Sequence, residues 1–181
     1  MFEKRETMIS GCFELQPRVL TDIRGKFVKT YHADYFASNE LETDFQEHYY
    51  SVSRKGVLRG MHFQNPPNGH NKLVYCTTGA ILDVVIDLRV ESPSYLEHVS
   101  LELSSELGNM LYIPEGLAHG FYSVTDATVS YNVSSTYSPE SDDGVLWSSI
   151  GMDWPDAAPH ISERDSSFIA LSDFQSPFKF K

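Results

Sequence analysis

Cysteine is scarce in this chain: its 181 residues include only Cys12 and Cys76. Far apart, and with Cys76 in an apolar strand-like segment, they form no redox motif and no disulfide framework of the kind that staples small secreted domains; buried thiols are expected. Long hydrophobic runs are also missing. No stretch approaches the roughly 20 apolar residues of a membrane helix, and Met1-Phe2-Glu3-Lys4-Arg5-Glu6-Thr7 is charged where a secretory signal needs an apolar core. A soluble, cytoplasmic protein with no membrane partner is the expectation. Cations are few, 14 Lys and Arg against 25 Asp and Glu, for a formal charge of −11. Neutralising a nucleic-acid backbone needs clustered Lys and Arg, so nucleic acid is excluded as a partner. Any local group of cations gains meaning, because it would hold an anion against the field of the whole protein. Repeats, low-complexity tracts and linkers are absent too, and the length fits one well-buried domain spanning 1–181.

What the chain does have is a period of two. Val99, Leu101 and Leu103 alternate with His98, Ser100 and Glu102, and Val129, Tyr131 and Val133 alternate with Thr128, Ser130 and Asn132. Both segments read as half-buried strands. Ala80 to Val90 is more continuously apolar and β-branched, as suits a strand covered on both faces. Further strands are predicted over Lys26–Tyr31, Tyr49–Ser53, Lys72–Thr77, Met110–Ile113 and Gly120–Val124. Short helices are predicted over Asp34–Glu40 and Ser162–Leu171. Many short strands broken by turn residues point to an all-β sandwich or jelly roll.

Two islands break the apolar pattern. Val57-Leu58-Arg59-Gly60-Met61-His62-Phe63-Gln64 sets a fixed cation and a histidine three residues apart in a strand-like run, and Pro114-Glu115-Gly116-Leu117-Ala118-His119-Gly120-Phe121 has the same character. Polar groups buried in such runs are costly unless they have partners. Metal binding is one use for such histidines, but the chain contains neither His-x-His nor His-x-x-x-His, so ligands would have to be gathered singly from distant strands. No Ser or Cys sits in a glycine-flanked elbow. Proton chemistry fits better, with Arg24, Arg59 and Lys72 as cations that could hold diphosphate oxygens. Taken singly, each of those cations also reads as a strand-end charge in water, and Tyr131 as a core ring whose hydroxyl is satisfied locally. Arg59 and His62 have opposite strand parity.

Taken in order, Leu58-Arg59-Gly60-Met61-His62-Phe63-Gln64, Lys72-Leu73-Val74-Tyr75-Cys76, Asp83-Val84-Val85-Ile86-Asp87-Leu88-Arg89, Ser92-Pro93-Ser94-Tyr95, Ile113 to Phe121, Tyr137-Ser138-Pro139-Glu140 and Asp153-Trp154-Pro155 resemble the dTDP-4-dehydrorhamnose 3,5-epimerases. The resemblance runs from about Leu15 to about Asp165. It implies a cupin-type jelly roll that works without metal or cofactor, and a homodimer that exchanges N-terminal strands. The implied substrate is a nucleotide diphosphate 4-keto-6-deoxy sugar whose C3 and C5 hydrogens are acidified by the C4 ketone. Inversion then needs a base on one face of the ring and an acid on the other.

By that resemblance His62 is the base, oriented by Asp165; Tyr131 is the acid on the far face; and Lys72 stabilises the charge developing on O4. Read alone, Ser162-Glu163-Arg164-Asp165 is only a helix capping box. Arg24, Arg59, His119, Tyr137, Ser51 and Gln64 are implied as substrate contacts. With Arg59 and His62 so assigned to one cavity despite their opposite parity, the strand must be bulged or strongly twisted, and Gly60 is where that irregularity is predicted. The match departs on the nucleotide side, where Lys29 stands in place of a typical acidic residue and Glu47-His48-Tyr49 in place of Gln-Asp-Asn. Those departures leave dTDP, CDP and GDP open, and leave single inversion at C5 or C3 beside double inversion. A sugar-nucleotide binding protein without turnover is the remaining alternative.

Overall fold

Strands whose residues alternate between a packed and an open face can be satisfied by stacking two sheets, and this chain does so. The computed structural model describes residues 1–180. In chain order its strands are β1 (Phe2–Glu6), β2 (Phe13–Pro17), β3 (Val19–Asp22), β4 (Gly25–Val28), β5 (Glu47–Ser53), β6 (Leu58–Gln64), β7 (Lys72–Thr78), β8 (Ala80–Asp87), β9 (His98–Ser104), β10 (Met110–Ile113), β11 (Leu117–Ser123), β12 (Ala127–Val133) and β13 (Asp142–Gly144). Helices α1 (Ala33–Ser38) and α2 (Glu163–Ser166) are short. One sheet has the order β1-β2-β10-β7-β12-β5 and the other β13-β6-β11-β8-β9, while β3 and β4 form a separate hairpin. Neighbouring strands pair antiparallel throughout the sheets.

The space between the sheets is filled by Val74, Cys76, Ile81, Val85, Leu111, Phe121, Val129 and Tyr131, among others. Val84 and Ile86 face the opposite way, into a second cluster closed by Phe178 and the partly buried Trp147 and Trp154. Strand β8 is therefore covered on both faces, as its continuous apolar run predicts. A third cluster packs Phe36 of α1 and Leu41 against Leu73, Met110 and Leu15. Burying a side chain of this size contributes about 1.5–3 kcal/mol, so the three clusters carry most of the hydrophobic stabilisation.

Several predicted boundaries move. The strand expected over Ala80–Val90 stops at Asp87 because that carboxylate accepts from the Arg89 N–H and from the hydroxyls of Ser92 and Ser94, turning the chain. The helix expected over Ser162–Leu171 is a single turn: Leu146 N–H donates to the Ile169 carbonyl at 2.8 Å, which holds that segment extended beside Val145. The strand expected over Lys26–Tyr31 ends at Val28, and the one expected at Gly120 begins at Leu117, which brings His119 into β11. Strands β1, β2, β3 and β13 lie outside the predicted segments. β1 buries only Phe2 of its five residues, so its sequence carries little alternation to read.

Candidate active site

A cavity of about 620 Å³ opens between the sheets, within the usual range for a small-molecule site. Strands β5, β7 and β12 supply Glu47, Tyr49, Ser51, Lys72 and Tyr131 from one sheet. Strands β6 and β11 supply Arg59, His62, Gln64 and Phe121 from the other. His62 and Tyr131 thus enter the cavity from opposite sheets.

The placement of Arg59 and His62 together depends on a bulge. His119 of β11 pairs with His62, and Phe121 pairs with Arg59, so three steps along β6 span two along β11. The extra residue cancels the parity mismatch, and both side chains reach one cavity. Gly60 has φ +140°, and a Cβ there would lie 2.5 Å from the Cα of Gly120; only paired glycines let the two backbones approach so closely. The predicted irregularity lies where it was expected.

His62 Nε2 lies 2.9 Å from Asp165 Oδ1. With Nε2–H donating to the carboxylate, Nδ1 is left as the basic nitrogen and has no hydrogen-bond partner among the described residues. The other oxygen of Asp165, Oδ2, accepts from the Gly60 N–H at 3.1 Å. Half of the predicted capping box forms, since Ser162 Oγ accepts from the Asp165 N–H at 3.0 Å. The other half is given up to the imidazole. Burial pushes the Asp165 carboxyl upward, but the hydrogen bond and charge of His62 and the Gly60 N–H outweigh it, leaving the group below the ordinary carboxylate range and ionised.

Lys72 is almost fully buried, and its ammonium donates to the His62 carbonyl at 3.3 Å. Burial lowers its pKa to about 8, opposed by the charges of Asp142 and Asp83. Tyr131 is held well above the ordinary phenol range by burial and so stays protonated. Its hydroxyl lies 3.3 Å from Ser51 Oγ. Arg59 donates from Nε to Ser53 Oγ at 2.9 Å and from a terminal nitrogen to the Val52 carbonyl at 3.2 Å, which steadies the guanidinium at the cavity wall. A half-buried base, a buried phenol and a buried ammonium around one space are equipped to move protons at carbon next to a carbonyl.

Comparison with known proteins decides the family. The family model for dTDP-4-dehydrorhamnose 3,5-epimerase matches residues 6–173. The chain belongs to the dTDP-4-dehydrorhamnose 3,5-epimerase family. A relative of that name from Methanothermobacter thermautotrophicus is 42% identical over 173 residues, covering 92% of each chain. The crystal structure of the 3,5-epimerase of Legionella pneumophila with dTDP-4-keto-L-rhamnose superposes at a TM-score of 0.94, with 29% identity and 100% of both chains covered. ChmJ, a 3'-monoepimerase from Streptomyces bikiniensis solved with dTDP-quinovose, matches at a TM-score of 0.87 and 31% identity, covering 92% of this chain and 86% of that one. The protein is an isomerase of this epimerase family with its cupin-type, mostly β architecture.

Within this epimerase, His62, Lys72, Tyr131, Arg59, Ser51, Gln64 and Tyr137 all line the cavity, with Asp165 behind His62. Gln64 is committed to the wall itself: its amide donates to the Asn68 carbonyl at 2.8 Å, and its Oε1 accepts from the Ser138 N–H at 2.6 Å. Tyr137 sits exposed at the rim. Two of the expected contacts are not brought to the cavity. His119 does not line the cavity; it is buried, with Nε2 2.8 Å from Asp83 Oδ2, and its ring meets that of Tyr131 edge-on. Arg24 sits on the β3–β4 turn, ion-paired with Asp22 and largely exposed, so it does not reach the cavity of its own chain.

Several cavity residues escaped the sequence reading. Arg164 and Asp142 line the wall and ion-pair at 2.6 Å. His70, held near a pKa of 3 by burial and the charges of Lys72 and His119, lines it as a neutral ring. Asp83 carried a readable signal: a carboxylate inside an apolar strand has to find a partner, and it found His119.

Proposed function

We propose that the protein inverts C3 and C5 of dTDP-4-dehydro-6-deoxyglucose, giving dTDP-4-dehydro-L-rhamnose. In this reading His62 Nδ1 removes the proton next to the C4 ketone, and the resulting enolate oxygen is held by the Lys72 ammonium. Tyr131 returns a proton to the opposite face, with inversion at C5 depending on it more than inversion at C3, so each inversion exchanges a substrate hydrogen for one of solvent origin. Asp165 keeps the imidazole oriented and stabilises its protonated form. Arg59, Ser51, Gln64 and Tyr137 contact the substrate, with His119 supporting the Tyr131 ring from behind. The entry of His62 and Tyr131 from opposite sheets is the observation that carries this reading, since inversion requires groups on both faces of the ring.

The reading extends to the whole chain as one domain acting in a cytoplasmic homodimer. Leu20, Ile23 and Phe27 leave the β3–β4 hairpin with large exposed apolar side chains, and Tyr50 and Val52 are exposed on the unpaired edge of β5. Exchange of N-terminal segments would cover these surfaces and carry Arg24 to the substrate diphosphate of the second copy. Cys12 and Cys76 are free, buried thiols, in keeping with a reducing compartment. A second reading, inversion at one carbon only, is favoured by the likeness to a 3'-monoepimerase.

Incubation with dTDP- and CDP-4-keto-6-deoxyglucose in deuterated water, followed by proton NMR, tests this. Loss of both the C3 and C5 signals of the dTDP sugar is expected, and none with the His62→Asn variant, in line with the ~10²–10⁴-fold contribution of a general base. Exchange at one carbon alone would establish the second reading. Exchange at neither would leave a binding protein.

A further inference from the structure

Tyr49 is directly opposite Tyr131 in the β5–β12 pairing. The two phenol rings stack with centroids 4.8 Å apart and planes 19° from parallel. Tyr131 needs such support, because its one hydroxyl contact among the described residues, to Ser51 Oγ at 3.3 Å, is long for an O–H···O bond and does little to fix the ring. The His119 ring meets Tyr131 only edge-on, at 6.3 Å. Tyr49 itself is free to play this part: its hydroxyl has no hydrogen-bond partner among the described residues, it lines the cavity, and it is about half exposed on an edge strand, so the core does not depend on it.

We infer that Tyr49 is a positioning residue that holds the Tyr131 phenol over the substrate ring and thereby sets the balance between inversion at C5 and at C3. The inference rests on the proposed reaction. Stacking of two aromatic rings restrains tilt and sliding, and proton delivery to carbon is sensitive to displacements of about 1 Å, which can cost ~10²-fold in rate. Enclosure of its cavity-facing side and the charges of Glu47 and Asp142 raise the Tyr49 pKa to about 12, so the ring stays neutral and the stack is unbroken by ionisation across physiological pH.

Deuterium exchange at C3 and C5 of dTDP-4-keto-6-deoxyglucose is to be measured for the wild-type protein and for Tyr49→Phe, Tyr49→Ala, Tyr49→Leu, Tyr131→Phe and the double variant Tyr49→Ala/Tyr131→Phe. Tyr49→Phe keeps the stack and should stay within about threefold at both carbons. Tyr49→Ala and Tyr49→Leu should slow C5 exchange at least tenfold, on the order of the misplacement penalty, with C3 changed less than about threefold. In the Tyr131→Phe background, Tyr49→Ala should change C5 exchange by less than about twofold, since a residue acting through a hydroxyl has no further effect once that hydroxyl is gone. An unchanged C5-to-C3 ratio in both the alanine and leucine variants, or an equal loss at both carbons, overturns the inference while leaving the proposed reaction standing. Failure of the wild-type protein to exchange either proton overturns both together.

Discussion

At the residue scale, the cost of the site is concentrated in Lys72. An ammonium buried beside the cavity loses hydration, which is why its pKa falls to about 8 rather than the ordinary value near 10.5. Two consequences follow, with opposite signs. The charge on Lys72 is what would hold the enolate oxygen, so kcat/KM should fall as pH rises through about 8. Stability should move the other way. Between about 8 and 10.5 the unfolded chain binds the proton that the folded chain has released, so stability rises with pH across that window; below it the buried charge is a standing cost on the order of a few kcal/mol. Lys72→Met should therefore raise the melting temperature at pH 7 while lowering turnover by at least ~10²-fold, as expected when a group that stabilises an oxyanion is removed. A variant that melts lower at pH 7, or a wild-type profile flat to pH 10, would contradict this account.

At the scale of elements, β6 and β11 are held together by what their closest residues lack. Adding a methyl group at Gly60 would force a Cβ to 2.5 Å from the Gly120 Cα at a φ that side chains rarely adopt. The bulge could then survive only by separation of the strands. Gly60→Ala is expected to cost at least ~2 kcal/mol, several degrees in melting temperature for a chain of this size. It should also impair exchange at C3 and C5 together, because Arg59 and His62 lose their common face and Asp165 loses the Gly60 N–H. Thermal unfolding and the exchange assay on one preparation check both parts. A melting temperature within a degree of wild type would show that the bulge tolerates a side chain. The bulge was legible beforehand from parity together with the family resemblance, which assigned to one site a cation and a histidine that, three residues apart, cannot otherwise share a face. The single turn at Ser162 was legible as a cap but not as a partner of His62, because nothing local to Asp165 reveals a contact 103 positions away.

For the molecule as a whole, the exposed hairpin and the unpaired edge of β5 leave Arg24 outside the cavity of its own chain. If a second copy uses it, Arg24→Ala should raise KM for the dTDP sugar about tenfold with little change in kcat, the loss of one charge-assisted contact to phosphate. Mixing Arg24→Ala with His62→Asn protein should restore activity, because a mixed dimer holds one site with both residues intact. Light scattering showing a monomer at working concentration, or no recovery on mixing, would exclude this arrangement. The overall charge of −11 makes such a borrowed cation valuable, since every phosphate approaches against the field of the protein.

Composition and periodicity by themselves determined the all-β class and the doubly covered β8, because each depends on the pattern of neighbouring residues along the chain. The motif order pointed to the family, and with it to His62, Lys72, Tyr131 and Asp165. Only the tertiary structure decided that His62 and Tyr131 enter from different sheets, that His119 turns away from the cavity to meet Asp83, that Arg24 stays outside, and that Tyr49 lies flat against Tyr131. These outcomes depend on which strands become neighbours. A strand's own sequence sets which face each side chain takes, but the partner across the ladder comes from elsewhere in the chain, and that pairing is fixed only when the sheets close.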